Sequence, residues 1–305
     1  MFQYDIFGCK IVSDRDLYLN QCTFRQSPDV TVSTNTIPAD LAKQLTTLVP
    51  DKNNRSAIFS FHPQCLCLRT QDGLIRIQNG NEIQVSPEPD ADVYSLAACI
   101  YCNCMAYIAR QRNWTVLHGS VIEKDGKAYL ISGVSGSGKS TLANLLLSQP
   151  DIFFLSDDIA FIADAADPYV FSGEERQKLC LDVVENAPYP PNSYLVKSET
   201  KLSVDRSDIF KRGSFPLCGI FCLTIEDSET DSVTFRELQG HEKLMALLTH
   251  CQYFERHKDS QNVDVNLFQQ CLELAQHVPV YQISRPLVGH YSQEQMHAIY
   301  EHVFI

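Results

Sequence analysis

The chain has 305 residues, of which 44% are hydrophobic, so it is long enough for one large domain or two moderate ones with an ample core. Its formal net charge of −12 argues against a nucleic-acid-binding protein, because such a protein needs a basic face to neutralise phosphates. The segment Met1–Gly8 lacks the basic and apolar regions of a signal peptide. The longest apolar stretch, Val93–Ala109, contains Asn103 and is short for a membrane span. We therefore expect a cytoplasmic protein that binds neither nucleic acid nor membrane.

The first 92 residues are predicted to be rich in β-strands. Strict alternation of apolar and polar residues over Leu74–Val85 is broken by Asn79-Gly80, a pair typical of a hairpin with a type I′ turn. After a turn-rich break, a helix is expected from about Val93 to Gln111. These features predict two parts: residues 1–92 as a β-rich N-terminal region packed on the core, and residues 93–305 as the domain that carries the chemistry.

Twelve cysteines is a high count, and most of them lie among apolar residues, where a thiol behaves as a small hydrophobe. Without an export signal they are expected to stay reduced. For the cluster Cys99-x-x-Cys102-x-Cys104, the alternative to buried free thiols is a metal site. On a helix, however, Cys104 points away from the other two, and no second Cys or His pair lies at a matching spacing.

Two strands are predicted over Thr115–Ile122 and Lys127–Ile131, joined by a turn at Asp125-Gly126. The first strand carries His118. If the two strands pair, the His118 side chain lies near the end of the second strand, where the next motif begins. A histidine that serves only packing or solvation is the plainer interpretation.

The most informative segment follows directly, as Gly133-Val-Ser-Gly-Ser-Gly-Lys-Ser-Thr141 and then leucines at helical spacing. A buried strand, a turn of the form G-x-x-x-x-G-K-[ST] and a helix make a P-loop, whose backbone N–H groups hold the phosphates of a nucleotide. Lys139 is expected to contact the outer phosphates, and Ser140 to offer its hydroxyl to Mg²⁺. The predicted nucleotide-binding residues are Gly133, Ser135, Gly136, Ser137, Gly138, Lys139, Ser140 and Thr141.

The next predicted strand, Ile152–Ser156, ends in the carboxylate pair Asp157-Asp158, where an acidic side chain can reach Mg²⁺ or the γ-phosphate. Two carboxylates suggest a division of labour, in which one assists the metal and the other takes a proton from an attacking hydroxyl. Like charges so close push one pKa upward, which suits a general base. The alternative is a metal-binding Asp beside an Asp that caps a helix or lies at the surface.

The remaining elements are two strands, Cys218–Ile225 and Val278–Ile283, and amphipathic helices over Leu238–Tyr253, Asn262–His277 and Ser292–Val303. Basic residues that could contact a transferred phosphoryl group are Lys201, Arg206, Lys211, Arg212 and Arg285. For each of them singly, a solvated loop position is the plainer interpretation.

Leu117-His118-Gly-Ser, the P-loop and Leu155-Ser-Asp157-Asp158 together resemble the HPr kinase/phosphorylase family, a distant relative of phosphoenolpyruvate carboxykinase. The order and spacing match over about residues 115–162. The opening residues and the late strand are similar to HPr-kinase-like proteins of peptide-biosynthesis clusters, including those of lasso peptides. The resemblance implies an α/β fold of α+β character, with a P-loop mixed-sheet core and a β-rich N-terminal region.

The resemblance also implies a reaction: transfer of the γ-phosphoryl group of ATP, with Mg²⁺, to a serine hydroxyl of a protein or peptide. By position, Asp158 is similar to the family's catalytic base, and His118 to the histidine near the phosphates. Asp157 would support the metal together with Ser140, and Lys139 would keep its P-loop role. Family members often assemble as rings, so the resemblance allows a homo-oligomer.

The chain departs from the larger bifunctional members of that family. Their motif of the Glu-x-Arg-Gly-x-Gly type is absent, and Glu174 and Glu175 are only a weak substitute for it. Their signature for phosphorolysis is likewise absent, so we expect a kinase without phosphorylase activity. Two other functions stay open: a kinase for a small metabolite alcohol on the same scaffold, and a nucleotide-binding regulatory protein without transfer activity.

Overall fold

The structure is a computed structural model that describes residues 1–38, 56–62, 64–134, 136–181, 194–197, 201–226, 233–251, 265–286 and 293–304. The chain divides into two compact units, Met1–Trp114 and Thr115–Ile305. Within the described residues, no helix is both long enough and apolar enough to cross a membrane.

The first unit contains one seven-stranded mixed sheet. Its strands are β1 (Phe2–Ile6), β2 (Cys9–Ser13), β3 (Val30–Thr34), β4 (Ser56–His62), β5 (Cys65–Thr70), β6 (Gly73–Gln78) and β7 (Glu82–Pro87). They lie in the order β1-β2-β3-β7-β6-β5-β4. The predicted β6/β7 hairpin is confirmed, and Asn79 and Gly80 have φ angles of 56° and 65°, as a type I′ turn requires. The prediction of a β-rich N-terminal region is therefore confirmed.

The predicted helix after this sheet is also confirmed, as α1. It runs through Val93–Ala98, a π-helical segment Cys99–Cys104 and Met105–Gln111. The cysteine cluster thus lies on a helix, as expected from its sequence.

The end of α1 is tied to the β6/β7 turn. Gln111 Oε1 accepts a hydrogen bond from the Gly80 N–H at 2.7 Å, and Arg112 Nε donates to the Gly80 carbonyl oxygen at 2.7 Å. The helix is part of the unit Met1–Trp114. The division into compact units thus falls after Trp114, whereas the sequence predicted a boundary after residue 92.

The second unit contains a mixed sheet, a small separate sheet and four described helices. In chain order its elements are β8 (Thr115–Leu117), β9 (Gly119–Lys124), β10 (Lys127–Gly133), α2 (Lys139–Leu146), β11 (Ile152–Ser156), β12 (Ala160–Ala163), β13 (Tyr169–Phe171), β14 (Arg176–Cys180), β15 (Tyr194–Lys197), β16 (Lys201–Asp205), β17 (Ser214–Glu226), β18 (Thr234–Glu237), α3 (Gly240–His250), α4 (Val265–His277), β19 (Val280–Pro286) and α5 (Gln293–Phe304).

The mixed sheet has the order β11-β9-β10-β17-β13-β12-β8, and β19 joins it by pairing with β17. β10 and β19 run parallel to β17, whereas β9 runs antiparallel to β10. Leucines of α2 pack with Ile131, Phe154 and Leu223 in one apolar cluster, so the helix after the glycine-rich turn is anchored on one face of the sheet. The mixed α/β architecture predicted from the sequence is confirmed.

The main strands and helices of this unit were predicted, but the small sheet was not. Its strands pair in the order β14-β16-β15, and along the chain they come after the carboxylate pair and before β17. β14 reads Arg-Gln-Lys-Leu-Cys, which is too polar and too short to stand out as a strand in the sequence.

Gly119 allows β9 and β10 to approach each other closely next to His118. A Cβ at this position would lie 2.4 Å from the carbonyl oxygen of Ile131 and 2.7 Å from Leu130 Cδ1. The first of these neighbours is backbone and cannot rotate away, so any side chain at residue 119 would force the two strands apart.

We therefore expect Gly119→Ala to lower the free energy of unfolding by about 3 kcal/mol or more. The control is Gly126→Ala: a Cβ there meets nothing within 4 Å, and the substitution costs about 1 kcal/mol for the left-handed φ of +79°. Urea denaturation of the three proteins measures the difference. Equal losses in both variants would contradict the close approach of the two strands.

Candidate active site

The glycine-rich turn between β10 and α2 has the backbone of a phosphate-binding loop. Gly133, Gly136 and Gly138 have φ angles of 150°, 84° and 93°, which side-chain-bearing residues rarely adopt. Lys139 is buried and donates from Nζ to the carbonyl oxygens of Gly133 and Val134, both at 2.9 Å. The lysine head therefore lies over the loop, where the sequence predicted contacts with the outer phosphates.

The polar groups of this loop fit a phosphate. Ser137 is fully buried, and among the described residues its hydroxyl finds no hydrogen-bond partner. A buried hydroxyl left in this state is costly, and a ligand oxygen would satisfy it. Ser140 and Thr141 lie in the first turn of α2, at the positive end of the helix dipole. Ser135, the remaining predicted contact, lies outside the described residues.

Asp157 is brought to the start of α2 by the end of β11. Its Oδ1 accepts hydrogen bonds from the Ser120 hydroxyl and, at 3.3 Å, from the Ser140 hydroxyl. Its Oδ2 accepts from the backbone N–H of Lys178 at 2.8 Å. Three donors from three separate segments therefore hold this carboxylate beside the hydroxyl that the sequence assigned to Mg²⁺.

Burial raises the pKa of Asp157 above its ordinary value, and the neighbouring Asp158 charge raises it further. The hydrogen bonds from Ser120 and from the Lys178 N–H act in the opposite direction. A divalent cation at this point would remove the cost of the buried negative charge. The upward shift predicted for one member of the pair thus falls on Asp157, the predicted metal ligand.

Ser140 and Asp157 together could hold Mg²⁺. In the described part of the chain, no group of three or more His, Cys, Asp or Glu side chains is arranged to hold a metal ion. Magnesium in nucleotide sites needs less than this, because it keeps several waters and takes other oxygens from the phosphates. One carboxylate and one hydroxyl beside a P-loop therefore fit this ion.

Asp158 and His118 are neighbours in the structure. Asp158 has a φ of 74°, and its carbonyl oxygen lies 2.7 Å from His118 Nδ1. Its carboxylate Oδ1 is 3.7 Å from the same nitrogen. The two side chains are 32% and 27% exposed, so both are open to a ligand at the surface of the site.

Lys178 was not identified from the sequence. It lies on β14, and its Nζ donates to Asp158 Oδ2 at 2.9 Å while its backbone N–H holds Asp157. The only signal in the sequence is a lysine in a short polar segment after the carboxylate pair. Nothing in that segment indicates that the chain folds back onto the pair.

The same strand carries two more polar contacts. Gln177 is fully buried, and its Nε2 donates to the Ser140 carbonyl oxygen at 3.3 Å. Arg176 Nε donates to Glu174 Oε2 at 2.8 Å. Burial raises the pKa of Glu174, and Arg176 and Lys178 oppose that shift. Glu174 therefore lies near the charges of Lys178 and Asp158 and forms an ion pair with Arg176.

Of the five basic candidates, Arg285 is the one that the described contacts place on the P-loop. Its Nε donates to the Ser137 carbonyl oxygen at 3.0 Å, and a Cβ on Gly138 would lie 3.2 Å from its guanidinium. Three of the others contact side chains outside the loop: Arg206 bonds Gln177 and Asn144, Lys211 pairs with Glu123, and Arg212 pairs with Glu175. The side chain of Lys201 is outside the described part of the structure.

A cavity of about 440 Å³ adjoins the P-loop at Val134. Residues of β17, β18, β19 and α3 line it, and its polar wall residues are Thr224, Arg236, Glu242, Thr249, His250 and Gln282. Burial, together with the nearby charges of Lys139 and His118, lowers the pKa of His250 to about 4. His250 therefore lies near the lysine of the loop.

The pKa of His250 predicts a pH dependence of stability. Between its ordinary value of 6.5 and about 4, the unfolded chain binds a proton here and the folded protein does not, so stability falls as the pH falls through this window. We expect His250→Gln to remove at most about 3 kcal/mol of that fall. Urea unfolding across the window measures it. His241→Gln, an exposed site on the same helix, is the control, and parallel curves for wild type and His250→Gln would contradict the shift.

A second prediction follows from the position of Asp157. Asp157→Asn removes the negative charge but turns an amide N–H₂ towards one of the three donors, so we expect no gain in the stability of the ligand-free protein. We expect Mg²⁺ to increase the ATP affinity of this variant at least about tenfold less than it does for the wild type. Thermal unfolding and calorimetric titration with and without Mg²⁺ measure the two effects. Exposed Asp167→Asn is the control, and an unchanged Mg²⁺ dependence would exclude Asp157 from the metal site.

Comparisons with known proteins place the chain in a family. A search of curated proteins found no match. Among solved structures, the chain is similar to one described as "Structure of the Hpr(Ser) kinase/phosphatase from Coxiella burnetii", at 12% identity over 62% of this chain and 95% of that one, with a TM-score of 0.32. A likeness this distant does not establish a shared activity. The family model described as SynChlorMet cassette protein ScmC matches residues 83–301, well over half of the chain, and the protein therefore belongs to the ScmC family.

Proposed function

We propose that this protein is an ATP- and Mg²⁺-dependent kinase that transfers the γ-phosphoryl group to a serine hydroxyl of a protein or peptide. The observation that carries the proposal is the convergence of Asp157 and Asp158 on the P-loop. Asp157 lies 3.3 Å from the Ser140 hydroxyl, and Asp158 lies next to it with an exposed carboxylate. Nucleotide binding alone does not need the second carboxylate.

In the proposed reaction the loop and the pair have separate tasks. The N–H groups of the loop, Lys139 and Arg285 bind the phosphates. Ser140 and Asp157 would hold Mg²⁺, which would neutralise negative charge of the nucleotide. Asp158 accepts the proton of the attacking hydroxyl. The new bond joins the hydroxyl oxygen to the γ-phosphorus, and the bond to the bridging oxygen breaks, so that ADP leaves with the electron pair.

The cavity beside Val134 supports an acceptor of some size. Its neutral His250 and its ion pair between Arg236 and Glu242 leave it without a large net charge. An uncharged polar segment around a serine fits such walls better than a highly charged small molecule does. The class of acceptor, a serine on a peptide or protein, is inferred from the motif resemblance.

The proposal is tested by intact-mass measurement of synthetic serine peptides and folded serine-containing proteins, each with a serine-to-alanine twin, after incubation with ATP and Mg²⁺. We expect a gain of one phosphate on a serine acceptor and none on its twin. Asp158→Asn is expected to lower the rate by about 10²-fold or more without weakening ATP binding. Exposed Asp167→Asn, a few residues further on, is the matched control and keeps the wild-type rate.

The other outcomes distinguish the alternatives. ATP binding with phosphorylation of a small alcohol and of no peptide would indicate a metabolite kinase. Tight Mg²⁺-ATP binding with no transfer to any acceptor, unchanged in Asp158→Asn, would indicate a regulatory protein and overturn the proposal.

A further inference from the structure

The position of Lys178 relative to the P-loop is set by hydrogen bonds on both sides of it. Its own N–H donates to Asp157 at 2.8 Å, and the preceding residue, Gln177, donates to the carbonyl oxygen of Ser140 at 3.3 Å. On the other edge of the strand, Lys178 pairs with Ser203 of β16. The backbone from which this lysine extends is therefore held at the start of α2.

The head of the side chain, in contrast, is able to exchange partners. Lys178 and Asp158 form an ion pair at 2.9 Å, and their side chains are 34% and 32% exposed. An ion pair this accessible to solvent is worth little, so a ligand with more negative charge than one carboxylate can displace Asp158 from it. The long flexible stem of lysine allows the ammonium group to follow such a ligand.

The proposed reaction brings such a ligand to this point. An acceptor oxygen must lie about 3 Å from both the Asp158 carboxylate and the γ-phosphorus. Since Lys178 Nζ is 2.9 Å from Asp158 Oδ2, the γ-phosphorus then lies at most roughly 9 Å from Nζ, and rotation about the long side chain of lysine can bring the ammonium group towards the γ-phosphate oxygens. The β-phosphate, held by the loop, is farther away.

Resting on the proposed function, we propose that Lys178 is the cation that recognises the γ-phosphate, and that it leaves Asp158 to do so. The move has two consequences at one site. ATP, but not ADP, gains a charge-assisted hydrogen bond, and Asp158 Oδ2 becomes available to the proton of the acceptor hydroxyl. Lys178 thereby couples the presence of a transferable phosphoryl group to the release of the base.

The test is a calorimetric comparison of ATP and ADP affinity, with Mg²⁺ and without any acceptor. We expect Lys178→Met to reduce the preference for ATP over ADP by about tenfold or more while ADP affinity stays within about twofold of wild type. Retained ADP affinity also shows that the loop is folded. Lys127→Met, an exposed lysine at the other end of β10, is the matched control and leaves both affinities unchanged.

A double-mutant cycle tests the exchange of partners. If Asp158 competes with the γ-phosphate for Lys178, then Asp158→Asn increases the preference for ATP, and this increase disappears in the Lys178→Met background. Equal losses of ATP and ADP affinity in Lys178→Met, or no loss of either, would overturn the inference and leave the kinase proposal standing. Failure of the wild-type protein to bind either nucleotide would overturn both.

Discussion

The partly buried carboxylate of Asp157 is the point on which the rest of the site depends. It accepts hydrogen bonds from β9, from the first turn of α2 and from the backbone of β14, so it fixes three segments relative to one another. A charge buried in this way is unfavourable in the ligand-free protein, as the raised pKa of Asp157 indicates. The protein thus holds a position that a cation would stabilise, which is a form of preorganisation for the bound state.

The two members of the carboxylate pair differ because their surroundings differ. Asp157 accepts a hydrogen bond from the hydroxyl of Ser140 on the P-loop helix, whereas Asp158 has a left-handed backbone angle and lies beside His118 and Lys178. In the proposed reaction, adjacent residues would therefore face the metal and the acceptor at the same time. A change of backbone direction over one residue separates the two tasks.

The small sheet formed by β14, β16 and β15 contributes side chains to the site through β14. Its first strand supplies Gln177 to the start of α2 and Lys178 to the carboxylate pair. Both side chains extend from neighbouring positions of one short strand, so the pairing of β14 with β16 sets where both of them lie.

By itself the sequence determined the P-loop, the Asp157-Asp158 pair and the two hairpins, because each of these is set by local backbone requirements or by short-range periodicity, whereas the mixed sheet was implied by the family resemblance. The sequence also predicted that His118 lies near the start of the P-loop if β9 pairs with β10, and the tight turn at Asp125-Gly126 sets that pairing. Only the tertiary structure decided which residues of later segments reach the loop. Lys178 and Arg285 meet the site through long-range pairing of β14 with β16 and of β19 with β17, and no local pattern records which strands pair. The helix α1 was predicted correctly. Its place in the unit Met1–Trp114 follows from hydrogen bonds to Gly80, which join segments far apart in the chain and leave no local pattern in the sequence.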